Sequence, residues 1–450
     1  MRCSQIACGL AAALIGFLCA SAPAEAQESI DCPASTTMPQ GGPQPTASHQ
    51  MLSVVCFIEQ FPTVNLPILL YDDFSWRSFI ALAWPAKDGQ RGVPNSALTL
   101  GSAAGRPAVF ETLKSEWELF QKDGRDPTGW NEYGGLVPCD VPDLAFGDIV
   151  LAGSSKFDNI IQSGGSGPLL AQNRTFVRYT SGFNEKLFRH IADGRFFRRE
   201  NLANFTPLPA GAIRVKSAWV DMQDIERPER FHTRDAWLFN LATGKCEKKT
   251  VGLVGLHIVT KPPTHPQGVW STFEHVDNAP DMQPGRPCAQ ASRPFTFNKG
   301  DCAPMPSSNP ITCFDPASCP APEAYNVERT TKIHDMGNFS TARTNDRYRA
   351  LLAEKFPNSP WQNYQLVMTQ WPLKRNRPDL DGGPGNTFPG IGRSPIPGVP
   401  NDATAFANTT METFRQEHVA GNGCMGCHNA AKSRDYVFSL SVRAFPRTRN

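Results

Sequence analysis

The chain has 450 residues, with 44 Lys+Arg against 42 Asp+Glu for a formal net charge of +2, and no stretch of it is strongly basic or acidic. That balance argues against nucleic acid or an anionic membrane surface as the main partner. With 40% hydrophobic residues, among them 9 Trp and 28 Phe, a sizeable buried core is available and wholesale disorder is excluded, while 40 Pro and 36 Gly exclude long uninterrupted helical bundles.

The first 26 residues read as a secretory signal peptide. Arg2 precedes an apolar run from Ile6 to Ala20, and Ser21-Ala-Pro-Ala-Glu-Ala26 supplies the small residues of a cut after Ala26. The run is too short for a membrane anchor, which needs about 20 residues. No later stretch is long and apolar enough to cross a bilayer, so the expectation is an exported, periplasmic protein without a transmembrane segment. Of the 13 cysteines, Cys3, Cys8 and Cys19 lie in this leader. Setting aside the close pair Cys424 and Cys427 leaves Cys32, Cys56, Cys139, Cys246, Cys288, Cys302, Cys313 and Cys319, an even set suited to disulfides in an oxidising compartment. Cys32 with Cys56 and Cys313 with Cys319 are the expected local pairs.

Residues 27–400 read as an α+β body. Helices are expected over 71–84, stopped by Pro85, over 107–121 behind Pro107, and near 184–197. Strands are expected over 212–222 and 235–241, and Val251 to Val259 is apolar on both faces, as a central strand would be. Gly252 and Gly255 allow a flat group to lie close to that strand's backbone. Residues 269–276 complete a long hairpin. Residues 279–324, rich in proline and holding four cysteines, read as a disulfide-stapled loop. A helix over 341–356, a strand over 365–371 and a Pro/Gly-rich boundary at 379–400 follow. A helix over 404–417 then opens a C-terminal segment, 401–450. The architecture expected is an antiparallel sheet body with peripheral helices and a C-terminal helical haem c segment.

The chemistry is in Cys424-Met-Gly-Cys427-His428. C-x-x-C-H is the attachment sequence for c-type haem: two thiols one helical turn apart add to the two vinyl groups, and the next residue brings its imidazole to the iron. The cofactor expected is therefore one covalent haem c, bound through Cys424 and Cys427 with His428 as the proximal ligand. Small cytochromes c carry this motif near the N-terminus and supply a methionine further on. Here only 22 residues follow His428, and none is Met or His. Any sixth ligand must come from upstream.

Among upstream histidines, His418 reads as a helix-end residue, His334, His232, His190 and His49 as surface residues, and His265 as part of a turn. His257 and His275 stand out because each lies in an apolar strand. A turn closing near residues 260 and 268 puts odd-numbered residues of both strands on one face, so that His257 and His275 share it, roughly 7 to 13 Å apart at ~3.3 Å per residue. Glu274 then points the other way, beside Trp270 and Thr272. His257, directly after the glycine-rich stretch, is the better candidate for the distal side, as an iron ligand or as a catalytic acid–base group, with His275 as the other catalytic candidate.

Val254-Gly-Leu-His-Ile-Val-Thr-Lys261, Trp270-Ser-Thr-Phe-Glu-His-Val-Asp-Asn278, Thr369-Gln-Trp-Pro372 and Asn408-Thr-Thr-Met-Glu-Thr-Phe414 ahead of Cys424-Met-Gly-Cys-His428 resemble the exported "cytochrome c family proteins" of proteobacteria. One departure is Gly268, where an aromatic residue is expected. The resemblance implies a periplasmic single-haem protein and brings no substrate. The body, far larger than a bare electron carrier needs, favours a haem oxidoreductase acting on a small molecule. The rivals are an electron-transfer cytochrome with six-coordinate haem, whose partner is an electron-donor or acceptor protein, and a haem-based sensor.

Overall fold

The computed structural model describes residues 68–100, 105–135, 144–151, 167–240, 243–262, 268–282, 294–300, 326–330, 340–370, 407–416 and 428–446, with a few isolated positions between them. The leader, Cys424 and Cys427, most of the 279–324 loop, the 379–400 boundary and the expected disulfide pairs lie outside the described residues. Cys246 is described and is disulfide-bonded.

The fold is α+β, built on an eight-stranded sheet of β1 (Lys114–Ser115), β2 (Ile149–Leu151), β3 (Arg178–Phe183), β4 (Ile213–Asp221), β5 (Thr233–Phe239), β6 (Cys246–Thr260), β7 (Val269–His275) and β8 (Tyr364–Gln370). The spine is β6, which begins five residues before the apolar run that announces it. One of its edges is taken by β4, while the other is shared by β5 along its first half and β7 along its second, with β8 outside β7. The expected purely antiparallel sheet is corrected to a mixed one, because β2 pairs with β5 in parallel. Three residues, Ile149 to Leu151, are too short a run to register as a strand in the sequence; they gain their place from the neighbour they pair with. A bulge between Ala218 and Trp219 leaves Val254 without a partner on β4. Gly252 and Gly255 therefore face the same side despite their odd separation.

Helix α1 (Ile68–Ala83) runs up to Pro85, as expected, and buries Phe74, Trp76, Phe79 and Ile80 against one face of the sheet. Phe79 stacks on Phe273 of β7 at 4.4 Å between centroids. The expected helix over 107–121 is broken: a 3-10 turn at Val109–Thr112 gives way to β1, and a separate four-residue helix α2 (Glu116–Leu119) follows. Ser115 and Glu118 form a capping box, so this stretch carries its own restart signal, which the apolar spacing masks. Helix α3 (Glu185–Asp193), capped by Asn184, and α4 (Thr341–Lys355), capped by Ser340, fall where expected. A last short helix, α5 (Phe438–Val442), lies near the C-terminus. Residues 407–416 are not the expected continuous helix but turns ending in a 3-10 turn at Thr413–Arg415. Their side chains bond to the sheet instead of leaving the backbone to a regular helix.

The two faces of the sheet differ. The first carries the main core, including Val215, Trp219, Leu256, Ile258, Phe273 and Leu366 with α1 and α4. The second carries a smaller core around Ala218, Val220, Val254 and Met411. Beside that smaller core lies a band of charged side chains, which Asp435 and Arg443 of the C-terminal segment join, while Val437, Leu440 and Ala444 of the same segment pack into the main core.

Candidate functional site

On β6 and β7, His257 stands opposite Thr272, and Gly255 opposite Glu274. The register is one residue from the one expected from the turn, and since side chains alternate faces, that single residue separates the two histidines. His257 shares the second face with Trp270, Thr272 and Glu274, while His275 points to the other side. The expected shared face is therefore corrected. His275 is fully buried, stacks on Phe231 at 3.7 Å, donates from Nε2 to the Arg230 carbonyl at 3.0 Å and accepts at Nδ1 from the Asp277 N–H at 3.1 Å. Both nitrogens are committed to holding a strand end, which leaves His275 nothing to offer a substrate or a metal.

The close approach expected at Gly252 and Gly255 also has a different partner. A Cβ at Gly255 would sit 2.4 Å from Thr410 Oγ1 and 3.1 Å from Asn408 Oδ1, and one at Gly252 would meet Met222 Sδ. The strand is flattened to admit protein, namely the 407–416 segment. Asn408 Nδ2 donates to Thr272 Oγ1 and to the Phe273 carbonyl, and its Oδ1 accepts from the Thr410 N–H and hydroxyl. Glu274 Oε2 accepts from the Thr409 N–H and hydroxyl, while Oε1 pairs with the buried Arg329. Tyr179 donates to the Thr410 carbonyl at 2.6 Å. Gly268, where the resemblance leads one to expect an aromatic residue, has φ +81 and a Cβ position only 3.1 Å from the Thr260 carbonyl, so the turn needs the glycine as this chain builds it.

This latch brings Glu412 under His257. Glu412 Oε2 accepts from the Asn408 N–H at 3.0 Å and lies 3.4 Å from His257 Nε2, out of line for a hydrogen bond. Burial opposes ionisation of Glu412, but nearby His257 and Lys216 outweigh it and hold the carboxyl below its usual range. His257 Nε2 is thus a buried nitrogen without a hydrogen-bond partner, beside a carboxylate. Sequence reasoning missed Glu412; its only signal was membership of the Asn408–Phe414 string.

His428 arrives on the same side of the sheet. Its ring lies 4.7 Å from that of Trp270 and 5.0 Å from that of Phe438. Nδ1 is 2.6 Å from the Tyr436 carbonyl oxygen, so Nδ1 carries a proton, and in the neutral ring Nε2 keeps its lone pair. Burial, helped by the Arg214 charge, pushes the imidazole down to about 3, which leaves it neutral at any physiological pH. A neutral imidazole whose Nδ1–H is fixed on a carbonyl is the form in which histidine ligates a metal through Nε2. These residues suit a haem: His428 would hold it through Nε2, Trp270 and Phe438 would flank that ring, and His257 offers a second nitrogen beside Glu412 on the same face. Between Trp270, Arg214, Lys261 and the turn at Asp435–Val437 lies a small cavity of about 30 Å³. Residues 428–446 are tied to the body by Lys261 with Asp435, Ser439 and Arg443 with Glu116, and Arg199 with the Phe445 carbonyl.

The remaining histidines divide. His190 is half-buried and bonds the Thr206 carbonyl. His232, expected at the surface, is corrected to a core residue: it stacks on Trp361 at 4.3 Å and pairs with the buried Glu111. Its polar neighbours Glu229 and Asp235 stay exposed, while the ring of His232 itself turns into the core. Among the described residues no group of three or more His, Cys, Asp or Glu is placed to hold a metal ion, and no helix is long and apolar enough to cross a membrane. Comparison with protein-family models, with curated proteins and with solved structures returned no match.

Proposed function

We propose that this chain is an exported, periplasmic protein with one covalent haem c on Cys424 and Cys427, His428 as its proximal ligand, and oxidoreductase chemistry on a small molecule. The observation that carries the reading is the state of His428. It directly follows the Cys424-Met-Gly-Cys427 pair of thiols and is oriented through Nδ1 on the Tyr436 carbonyl, which turns Nε2 to the other side of the ring. The disulfide at Cys246 supports an oxidising compartment. A bound haem supplies one-electron exchange and a coordination position for a small ligand.

The chain's own residues do the rest. The Tyr436 carbonyl keeps the His428 imidazole in one tautomer, and Trp270 and Phe438 pack against its ring. His257 holds or moves a proton at Nε2, with the Glu412 carboxylate stabilising the charged ring. The same Nε2, which makes no hydrogen bond, favours one rival, in which His257 ligates the iron and the protein relays electrons to a partner protein.

The test is acid-acetone extraction of protein made with a cytochrome c maturation system. Haem should stay with the denatured chain and be lost on Cys424→Ala with Cys427→Ala; extractable haem in the unaltered protein would refute the reading. A high-spin ferric spectrum with rapid carbon monoxide binding supports the oxidoreductase, whereas a low-spin spectrum that His257→Ala turns high-spin supports the relay.

A further inference from the structure

The band of charges beside His428 is unbalanced. Arg214 and Lys216 sit two residues apart on β4, opposite Val259 and His257, and therefore on the face that receives His428. The acids near Arg214 have other partners, and Lys216 is itself engaged by the Glu412 charge and by the Tyr179 ring, 5.0 Å from its Nζ. Glu116 is bound by Ser439 and Arg443, Asp435 by Lys261 and the Leu208 N–H, and Glu412 by the Asn408 N–H with His257 alongside. Among the described residues Arg214 makes no hydrogen bond and no ion pair; its attraction to Glu116 acts at longer range. It nonetheless lines the cavity between Trp270 and Tyr436, both of which also touch His428. Both side chains are half-buried, and the partial loss of water lowers the proton affinity of both cations, an effect that a bound anion would offset.

We propose that Arg214, backed by Lys216, is a carboxylate-binding site that takes the propionate edge of the haem. This rests on the haem reading above. The planar guanidinium fork matches a carboxylate in two parallel hydrogen bonds, which a lysine in its place could not reproduce. Haem brings two carboxylates to the site that His428 defines, and Arg214 and Lys216 provide two positive charges on that side of the sheet. Trp270 closes the same edge. The site makes Arg214 a positioning residue for the cofactor, set apart from the His257–Glu412 pair that handles protons.

The experiment is a redox titration of the matured holoprotein with resonance Raman spectra of its propionate bending bands, in the unaltered protein, Arg214→Gln, Arg214→Lys and Lys216→Met. Removing a cation beside a propionate favours the ferric state, so Arg214→Gln should lower the midpoint potential and shift a propionate band. Arg214→Lys should restore much of the potential but not the band. Lys216→Met should lower the potential as well. Arg106→Gln, an exposed residue paired with Asp88, should leave both measurements unchanged. Covalent haem with the potential and bands of Arg214→Gln identical to the unaltered protein would overturn the inference while leaving the haem reading intact. If Arg214→Gln fails to fold, unchanged bands in Arg214→Lys overturn it equally. An unaltered protein without covalent haem would overturn both.

Discussion

Glu274→Ala should release the latch that seats the 407–416 segment on β6 and β7, shortly before Cys424-Met-Gly-Cys427-His428. The Glu274 side chain is fully buried and meets Arg329, whose side chain is 3% exposed, and it is also the acceptor for the Thr409 N–H and hydroxyl. Removing one member of a buried ion pair costs about 3–5 kcal/mol, because the remaining charge stays out of water without a partner. Asp281 still holds the other arm of Arg329, which argues for about 3 kcal/mol from the pair. The orphaned Thr409 N–H adds about 1 kcal/mol, for a total of about 4 kcal/mol. Glu274→Gln keeps an acceptor for Thr409 and should cost less. Glu274→Ala combined with Arg329→Met should cost less than Glu274→Ala alone, since no uncompensated charge is left. Denaturant unfolding followed by far-UV circular dichroism, with disulfides intact, measures all three. A loss below about 1 kcal/mol for Glu274→Ala, or strict additivity in the double variant, would refute the reasoning.

Gly255→Ala should cost about 1–3 kcal/mol in the same assay, since its methyl would run into Thr410 and Asn408 of the docked segment; a neutral effect would mean the segment is not seated on β6. Asp72 on α1 gives a pH prediction. Burial raises its carboxyl from the usual 3.8 to about 7, against the hydrogen bonds from Thr341 and Thr369. The folded chain therefore keeps that proton where the unfolded chain has lost it, and stability falls as pH rises from about 4 to about 7 and then levels. Asp72→Asn should remove that slope, gaining on the parent by up to about 1.4 kcal/mol per pH unit; parallel curves of Tm against pH would contradict it. His275→Ala should cost about 3 kcal/mol, through lost stacking and two unpaired backbone groups, and leave the haem spectrum unchanged. His257→Ala should instead lower any peroxidase activity by about 100-fold or more; wild-type activity and spectrum in that variant would remove His257 from the site.

Much of the local structure is legible in the chain. Helix α1 and its stop at Pro85, the Asn184 and Ser340 caps, and the apolar run of β6 depend on residues within a few positions of one another, so spacing alone marks them. The C-x-x-C-H string at Cys424 to His428 is just as local, and the haem c proposed on it rests on that spacing of two thiols and an imidazole within five residues. What the tertiary structure decided depends on pairings across long stretches of sequence. The register of β6 on β7 is set by packing on both faces and by the turn that Gly268 allows, and one residue of it moved His275 away from His257. His232 was drawn into the core by Trp361 and Glu111, more than a hundred residues away on either side. The 407–416 stretch, helical by its apolar spacing, gave up that form because Asn408, Thr409 and Glu412 could satisfy buried groups on β6 and β7, and an unsatisfied polar group there costs more than the helix returns.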